Sequence, residues 1–177
     1  CLLNRSIQSA YPPGSTLKML SAIVGLDAGL IDRDTKFGPC SGALFFGDRK
    51  FGCWGVHGRL DVTDAIIQSC DVFFYHLAQR MDMDVWNVYA QKLGFGLPTG
   101  IDLGHEVQGL LPSPAYYTQR YGKYGWSKGA MLNLSIGQGE ILATPIQMAR
   151  YMGAIGTGKL CTPHLVRSVE GRRQGPQ

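Results

Sequence analysis

Apolar residues recur at helical spacing among polar residues in the stretch YPPGSTLKMLSAIVGLDAGL, residues 11–30. A Pro-Pro-Gly segment opens the stretch, and because proline cannot continue a helix from upstream, this segment marks a helix start. The apolar side chains then recur every three or four residues, at Leu17, Leu20, Ile23, Val24 and Ala28. Gly29 supplies a stop signal. The pattern predicts a helix over residues 15–29.

The rest of the pattern predicts helices between residues 61 and 94 and a less regular C-terminal half. Thr63 is the expected N-cap of a short helix ending at Gln68, and two more helices are expected over residues 72–80 and 84–93. Further along, Thr144, Pro145 and Gln147 form a capping-box sequence, which predicts one more helix to about Tyr151. The other residues of 95–177 are expected to form loops and short strands, including an aromatic loop at 116–126.

Residues 30–60 show no helical or strand period and contain six glycines. A loop of this length is uncommon in a compact domain unless it is functional or is held by something other than a hydrophobic core. The pattern therefore predicts a Gly/Cys-rich loop at residues 30–60, within one domain or most of one over residues 1–177.

Composition narrows the class of protein. The 177 residues are 45% hydrophobic and 17% charged with a net charge of +4, which is typical of one globular domain. No Lys/Arg run exceeds two residues and no apolar run reaches about 18, so neither nucleic-acid binding nor a membrane span is indicated. Five cysteines, an odd number, argue against a purely disulfide framework. Because the sequence starts at Cys1 without Met, we expect an anchor or targeting segment upstream.

The first chemical candidate is the pair Ser15 and Lys18 at the head of the expected helix. A spacing of three places both side chains on one helix face, and a neutral lysine amine can take the proton of a serine hydroxyl. The first turn of a helix also favours a developing anion. The alternative is that Ser15 is an N-cap and Lys18 a solvated lysine, because S-x-x-K alone occurs by chance.

The second candidate is Ser69-Cys70-Asp71, which lies between two expected helices. S-x-x-K followed by a second serine motif is typical of penicillin-binding proteins and class A β-lactamases. The alternative is an exposed Ser/Asp cap before Val72.

Four segments together carry a family resemblance over residues 2–168: LLNRSIQSAYPPGSTLK, SCDVFFYHLA, GFGLPTGIDL and LNLSIGQGEILATPIQMAR. In order and spacing they resemble the transpeptidase domain of class B penicillin-binding proteins, within the penicillin-binding protein 2 group that acts in cell elongation. The resemblance implies an α+β, mostly helical chain with part of the penicillin-binding/serine β-lactamase-like transpeptidase fold.

The resemblance also implies a peptidoglycan D,D-transpeptidase that cross-links stem peptides and is acylated by β-lactams. Ser15 matches the nucleophile, Lys18 the base that activates it, and Ser69 the relay of the proton to the leaving amine. Asp71 stands where many relatives have Asn, and its charge would favour the ammonium form of Lys18 and so weaken it as a base. The expected location is the periplasmic face of the bacterial inner membrane, with a membrane elongation glycosyltransferase as partner.

The third motif of that family, K-[ST]-G, does not occur in this sequence. In the family it lies on a strand that walls the active site and supplies one of two oxyanion donors, the loss of which typically costs about 10²–10³ in rate. We therefore expect the chain to carry half a site, to be inactive by itself and to belong to a longer parent enzyme.

Cys40, Cys53, His57 and Cys70 are spaced C-x12-C-x3-H-x12-C, and the last of them is the middle residue of the second motif. A tetrahedral Cys₃His zinc site would hold the Gly-rich loop, although this spacing is not that of a standard zinc finger. A Cys40–Cys53 disulfide, favoured in an oxidising compartment, and unpaired buried cysteines are the alternatives. Because some members of the resembled group carry zinc at this place, the resemblance favours structural zinc.

Two other function classes remain open. A serine β-lactamase would share the fold but release a β-lactam within seconds, whereas a transpeptidase would keep the adduct. A non-catalytic, zinc-stabilised scaffold would only dock a membrane glycosyltransferase.

Overall fold

A computed structural model describes residues 3–166, 168–169 and 172–173. Its helices are α1 (Arg5–Gln8), a 3₁₀ turn (Gly14–Leu17), α2 (Lys18–Asp27), α3 (Val62–Ile67), α4 (Asp71–Ala78), α5 (Met83–Lys92), α6 (Pro114–Tyr121), α7 (Gly129–Ser135) and α8 (Pro145–Thr157). Its strands are β1 (Ala43–Phe46), β2 (Arg49–Gly52), β3 (Ser168–Val169) and β4 (Arg172–Arg173). None of the described helices is long and apolar enough to cross a membrane.

The chain divides into two compact units. The larger unit consists of Pro13–Tyr89 and Pro112–Gly139, and the smaller unit consists of Cys1–Pro12, Ala90–Leu111 and Glu140–Gln177. Every candidate site residue named above belongs to the larger unit.

Helix α4 is central to the larger unit, since it packs against α2, α3, α7 and the β1–β2 hairpin. The core consists of side chains that are almost wholly buried, namely Leu17, Leu20, Val24, Ala65, Phe74, Leu77, Trp86, Leu132 and Leu134. Three buried polar groups tie this core together: Ser21 Oγ donates to the Ser135 carbonyl at 2.9 Å and accepts from Trp86 Nε1 at 3.1 Å. The helix that carries Lys18 is therefore fixed on its inner face by packing and by hydrogen bonds.

The predicted first helix is confirmed, with different bounds. Its first turn, Gly14–Leu17, is a 3₁₀ helix, and the α-helix runs from Lys18 to Asp27. Gly29 adopts a φ of +65°, as expected of a stop, and Leu30 N donates to the Gly25 carbonyl.

The predicted cap of α3 is wrong. The cap is Asp61 and not Thr63, because the Asp61 carboxylate accepts the N–H of Asp64 at 3.0 Å. Both residues are good caps, and the sequence offers no signal that separates two cap candidates only two positions apart.

Residues 30–60 are less irregular than expected. Strands β1 and β2 form an antiparallel hairpin in which Leu44 pairs with Phe51 and Phe46 pairs with Arg49. The inner face of this hairpin buries Phe51, whose ring meets that of Tyr75 on α4 at 5.5 Å. The hairpin was not predicted from the sequence ALFFGDRKF, because an alternation of apolar and polar residues is present on only one of its faces.

The C-terminal half contains more helix than predicted. Helix α6 covers most of the expected aromatic loop and begins at a cap formed by Ser113, with Pro114 in its first turn. Helix α7 was not predicted at all, because the small GAMLNLS segment is apolar without a clear period.

The smaller unit contains the capping box predicted from residues 144–147. Thr144 Oγ1 accepts the N–H of Gln147, and Gln147 Oε1 accepts the N–H of Thr144 at 2.8 Å. The predicted end at Tyr151 is wrong, since α8 continues to Thr157 and stops before Gly158, whose φ is +72°. Two glycines within residues 152–157 weaken the helical signal of the last turns.

Candidate active site and candidate metal centre

Lys18 is a buried lysine with three hydrogen-bond acceptors around its amine. It is the first residue of α2, and only 2% of it is exposed. Nζ donates to the Ser69 carbonyl at 2.7 Å and to Ser69 Oγ at 2.9 Å, and it lies 2.6 Å from Asp71 Oδ1. An ammonium group has three protons, so these three contacts satisfy it completely.

Ser69 holds an unusual backbone conformation between α3 and α4. Its φ is +50°, a left-handed value that is uncommon for a residue other than glycine. Two hydrogen bonds maintain it: Ser69 N donates to the Ile66 carbonyl at 3.1 Å, and Cys70 N donates to the Ala65 carbonyl at 2.9 Å. This conformation lets both oxygens of Ser69 face the same amine, and sparsely populated backbone conformations cluster at functional sites.

Asp71 connects the lysine to the neighbouring sulfur cluster. It is the first residue of α4, with its side chain 17% exposed, and its N–H donates to Cys53 Sγ at 3.3 Å. The expected proximity of Lys18 to both polar residues of the second motif is therefore present.

Ser15 lies three residues before Lys18, in the 3₁₀ turn, and its side chain is exposed. Within the described part of the chain its hydroxyl has no hydrogen-bond partner. A backbone hydrogen bond fixes the position of this turn, since Gly14 N donates to the Gly137 carbonyl at 2.8 Å. A Cβ on Gly137 would lie 2.0 Å from the Gly14 carbonyl oxygen, so only glycine allows this approach.

Cys40, Cys53, His57 and Cys70 meet in one cluster. Their potential ligand atoms all lie within 4.8 Å of one another. His57 Nδ1 lies 3.6 Å from Cys40 Sγ and 3.5 Å from Cys53 Sγ. The four described cysteines of the chain, which include all three of this cluster, are free thiols, so the alternative Cys40–Cys53 disulfide is absent. Cys1 lies outside the described residues.

The donor set suits a tetrahedral zinc ion. With Zn–S near 2.3 Å and Zn–N near 2.0–2.1 Å, a tetrahedral ion would separate sulfur from nitrogen by about 3.5 Å, which agrees with the two distances from His57. Within the described residues, His57 Nε2 is buried without a hydrogen-bond partner. This nitrogen is not the one that faces the sulfurs, so the fit to zinc rests on the Nδ1-to-sulfur distances.

The two thiols nearest the second motif differ in acidity. Burial raises the pKa of Cys53, but three backbone hydrogen bonds outweigh burial and leave this pKa below its ordinary value. For Cys70, burial is the largest cause and raises the pKa to about 12. The pKa values of these two thiols are therefore shifted in opposite directions.

One feature of the site was missed by sequence reasoning. A cavity of about 280 Å³ opens beside Asp71, with a mostly polar lining contributed by β2, α4 and the end of α7. Residues from these elements are far apart in sequence, and no motif joins them.

The chain matches the penicillin-binding protein transpeptidase domain over residues 1–177 and belongs to that family. Its sequence is 43% identical over 173 residues to the peptidoglycan D,D-transpeptidase MrdA of Salmonella typhimurium, and the match covers 96% of this chain and 28% of that protein. The chain thus spans about 28% of the length of this curated relative.

Solved structures show the same fold. A complex between penicillin-binding protein 2 and MreC from Helicobacter pylori superimposes with a TM-score of 0.89 at 34% identity, covering 99% of this chain and 33% of that one. A structure described as the coordination of polymerization and crosslinking by a peptidoglycan synthase complex matches with the same score and identity, over 99% of this chain and 30% of that one. The predicted mostly helical, partial transpeptidase fold is confirmed.

Proposed function

We propose that this chain carries the nucleophile, the base and the second serine of a peptidoglycan D,D-transpeptidase that acts in cell-wall elongation. The observation that carries the proposal is the buried amine of Lys18, which is hydrogen-bonded to Ser69 and paired with Asp71. Lys18 follows the exposed Ser15 by three residues. Similarity to transpeptidases over almost the whole chain supports the same function.

The proposed reaction is acyl transfer through Ser15. Its Oγ forms a bond to the carbonyl carbon of the penultimate D-alanine, and its proton passes to Lys18. The bond to the terminal D-alanine nitrogen then breaks, and Ser69 relays that proton to the leaving amine. An amine of a second stem peptide attacks the acyl-enzyme, which forms the cross-link and restores the hydroxyl of Ser15. A β-lactam would acylate the same oxygen.

Lys18 must lose a proton before it can act as the base. All three protons of its ammonium group face acceptors, so no lone pair is available for Ser15. The charged acceptor among them is Asp71 Oδ1, at 2.6 Å. We infer that Asp71 receives this proton as substrate displaces water from the site, which gives Asp71 an active role in addition to orienting the lysine.

Labelling with a fluorescent penicillin tests the proposal. Protein expressed from the complete open reading frame that contains this chain should be labelled stoichiometrically, and Ser15→Ala should abolish the label. The matched control is Ser6→Ala, an exposed serine in α1, which should label normally. The isolated chain, whose sequence contains no K-[ST]-G, should label slowly. Labelling of Ser15→Ala at the normal rate would contradict the proposal, and a label lost within seconds would indicate a β-lactamase.

We propose that the Cys40, Cys53, His57 and Cys70 cluster binds one structural zinc ion. The close fit of the His57 Nδ1 to sulfur distances supports this proposal. Such an ion would supply no reacting group, since four protein ligands leave no open position, and it would tie the loop at 30–60 to the second motif. Metal analysis after purification without chelators should find about one zinc per chain.

We further propose a periplasmic site that works beside a membrane glycosyltransferase. Support comes from the similar structure described as joining polymerization to crosslinking, and from the similar complex with MreC. Co-purification of the complete gene product with a glycosyltransferase from detergent-solubilised membranes would test the partner.

A further inference from the structure

The polar cavity beside Asp71 has a volume of about 280 Å³ and lies within the larger unit. Its polar lining consists of Arg49, Lys50, Asp71, Tyr75, Asn133 and Gln138. Because Asp71 also belongs to the Lys18 cluster, a ligand in this cavity would be in contact with the proposed active site.

Strand register indicates which of the two basic residues faces inward. Side chains alternate along a strand, so Arg49 shares a face with Phe51, which is 8% exposed and packs against Tyr75. Lys50 occupies the opposite face and pairs with Phe45, which is 71% exposed. Both side chains are exposed and both line the cavity. The register favours Arg49 as the principal contact, and Lys50 adds positive potential.

The cavity lining carries more positive than negative charge. The single carboxylate in its lining, Asp71, is already paired with Lys18 at 2.6 Å. Across the described part of the chain, neither Arg49 nor Lys50 forms a salt bridge. Two cations without a counterion, beside the amide side chains of Asn133 and Gln138, form a surface suited to an anion with two oxygens.

We propose that this cavity is a carboxylate-binding subsite for the peptide substrate, in which the guanidinium group of Arg49 is the principal contact. The inference rests on the proposed function, because the carboxylate belongs to the peptide that reacts at Ser15. A chain-terminal carboxylate and a side-chain carboxylate of the peptide offer the same chemistry. Arg49 acts on substrate selection and takes no part in proton transfer.

Two penicillins that differ by one carboxylate test this proposal. Carbenicillin is benzylpenicillin with an added carboxylate on its side chain, and both carry the ring carboxylate. Their second-order acylation rates are measured by competition with the fluorescent penicillin, using protein from the complete open reading frame. Arg49→Gln should lower the rate for at least one of them by about three- to tenfold, the range for a partly exposed, charge-assisted hydrogen bond. Arg49→Lys should restore part of the loss, and added salt should weaken the difference between wild type and Arg49→Gln.

The pattern of losses identifies the source of the carboxylate. A similar loss for both penicillins assigns the subsite to the terminal carboxylate, and a loss confined to carbenicillin assigns it to a side-chain carboxylate. The matched control is Arg33→Gln, an exposed arginine of the same unit. Unchanged rates for both penicillins in Arg49→Gln, or equal losses in Arg33→Gln, would overturn the subsite while leaving the proposed function intact. Absence of labelling in the wild type would instead overturn the proposed function.

Discussion

The Lys18 cluster and the Cys/His cluster lie side by side, yet they are stabilised in different ways. Around Lys18, every proton of the amine has a protein acceptor between 2.6 and 2.9 Å away. Around His57, by contrast, thiols and imidazole face one another at 3.5–3.6 Å, and one ring nitrogen is buried without a partner among the described residues. Protein atoms fill every contact of the Lys18 amine, whereas the second cluster is the one in which we propose an ion between the sulfurs and His57 Nδ1.

The difference matters because the two clusters share the segment Ser69-Cys70-Asp71. Ser69 and Asp71 contact Lys18, while the Cys70 side chain belongs to the Cys/His cluster. The proposed chemistry of acylation and the proposed zinc site would thus be coupled through one tripeptide. We therefore expect substitutions in the Lys18 cluster to remove a reacting group. Substitutions in the Cys/His cluster should instead displace Ser69 without removing any reacting group.

The largest effect should come from Lys18→Met, which removes the proposed base and keeps the length of the side chain. Acylation by a fluorescent penicillin should fall by about 10²–10⁴, the usual contribution of a general base. Zinc content should not change, because no metal ligand is touched. Lys36→Met, at an exposed loop position, is the control and should label normally. Near-normal labelling of Lys18→Met would show that another group activates Ser15.

The next effect should come from Cys40→Ser, which removes a proposed metal ligand far in sequence from the catalytic residues. We expect bound zinc to drop from about one per chain to nearly none, and acylation to fall by about tenfold, because the loop no longer holds Ser69 in place. Cys161→Ser is the control, since Cys161 is exposed and lies outside the cluster. Full acylation together with complete loss of zinc would break the proposed coupling between the clusters.

The structure brings together the residues that motifs and spacing singled out for each cluster, while their roles stay predictions. Short-range patterns predicted the helix that carries Lys18 and a helix from Val72, although α4 begins one residue earlier, at Asp71. The helix predictions have a physical basis, because a Pro-Pro-Gly start and a three-residue spacing determine local geometry. Local patterns did not reveal the φ of +50° at Ser69, which depends on hydrogen bonds to the preceding helix. Similarly, the cavity next to Asp71 exists only because β2, α4 and α7 meet through long-range packing.

A smaller effect should follow from Asp71→Asn. The amide can still accept a hydrogen bond from Lys18, but it cannot take up the proton that the proposed mechanism passes to Asp71. The maximal rate of acylation by the fluorescent penicillin should therefore fall by roughly a few-fold, the change expected when a charge-assisted hydrogen bond is replaced by a neutral one. An unchanged maximal rate would assign Asp71 a purely structural role.

The smallest predicted effect is on stability in acid, and it concerns His76 on α4. Burial, followed by the charge of Arg80, lowers the pKa of His76 below its ordinary value of 6.5. As the pH falls through about 6.5, the unfolded chain gains a proton that the folded state resists, so this residue makes the folded state less stable in acid. His76→Phe removes the titration and keeps a ring against Phe37, whose centroid lies 5.5 Å away. The fall in the unfolding midpoint between pH 7.5 and 5.5 should therefore be slightly smaller in the variant than in the wild type. A larger fall in the variant would mean that protonated His76 stabilises the fold, which would contradict this prediction.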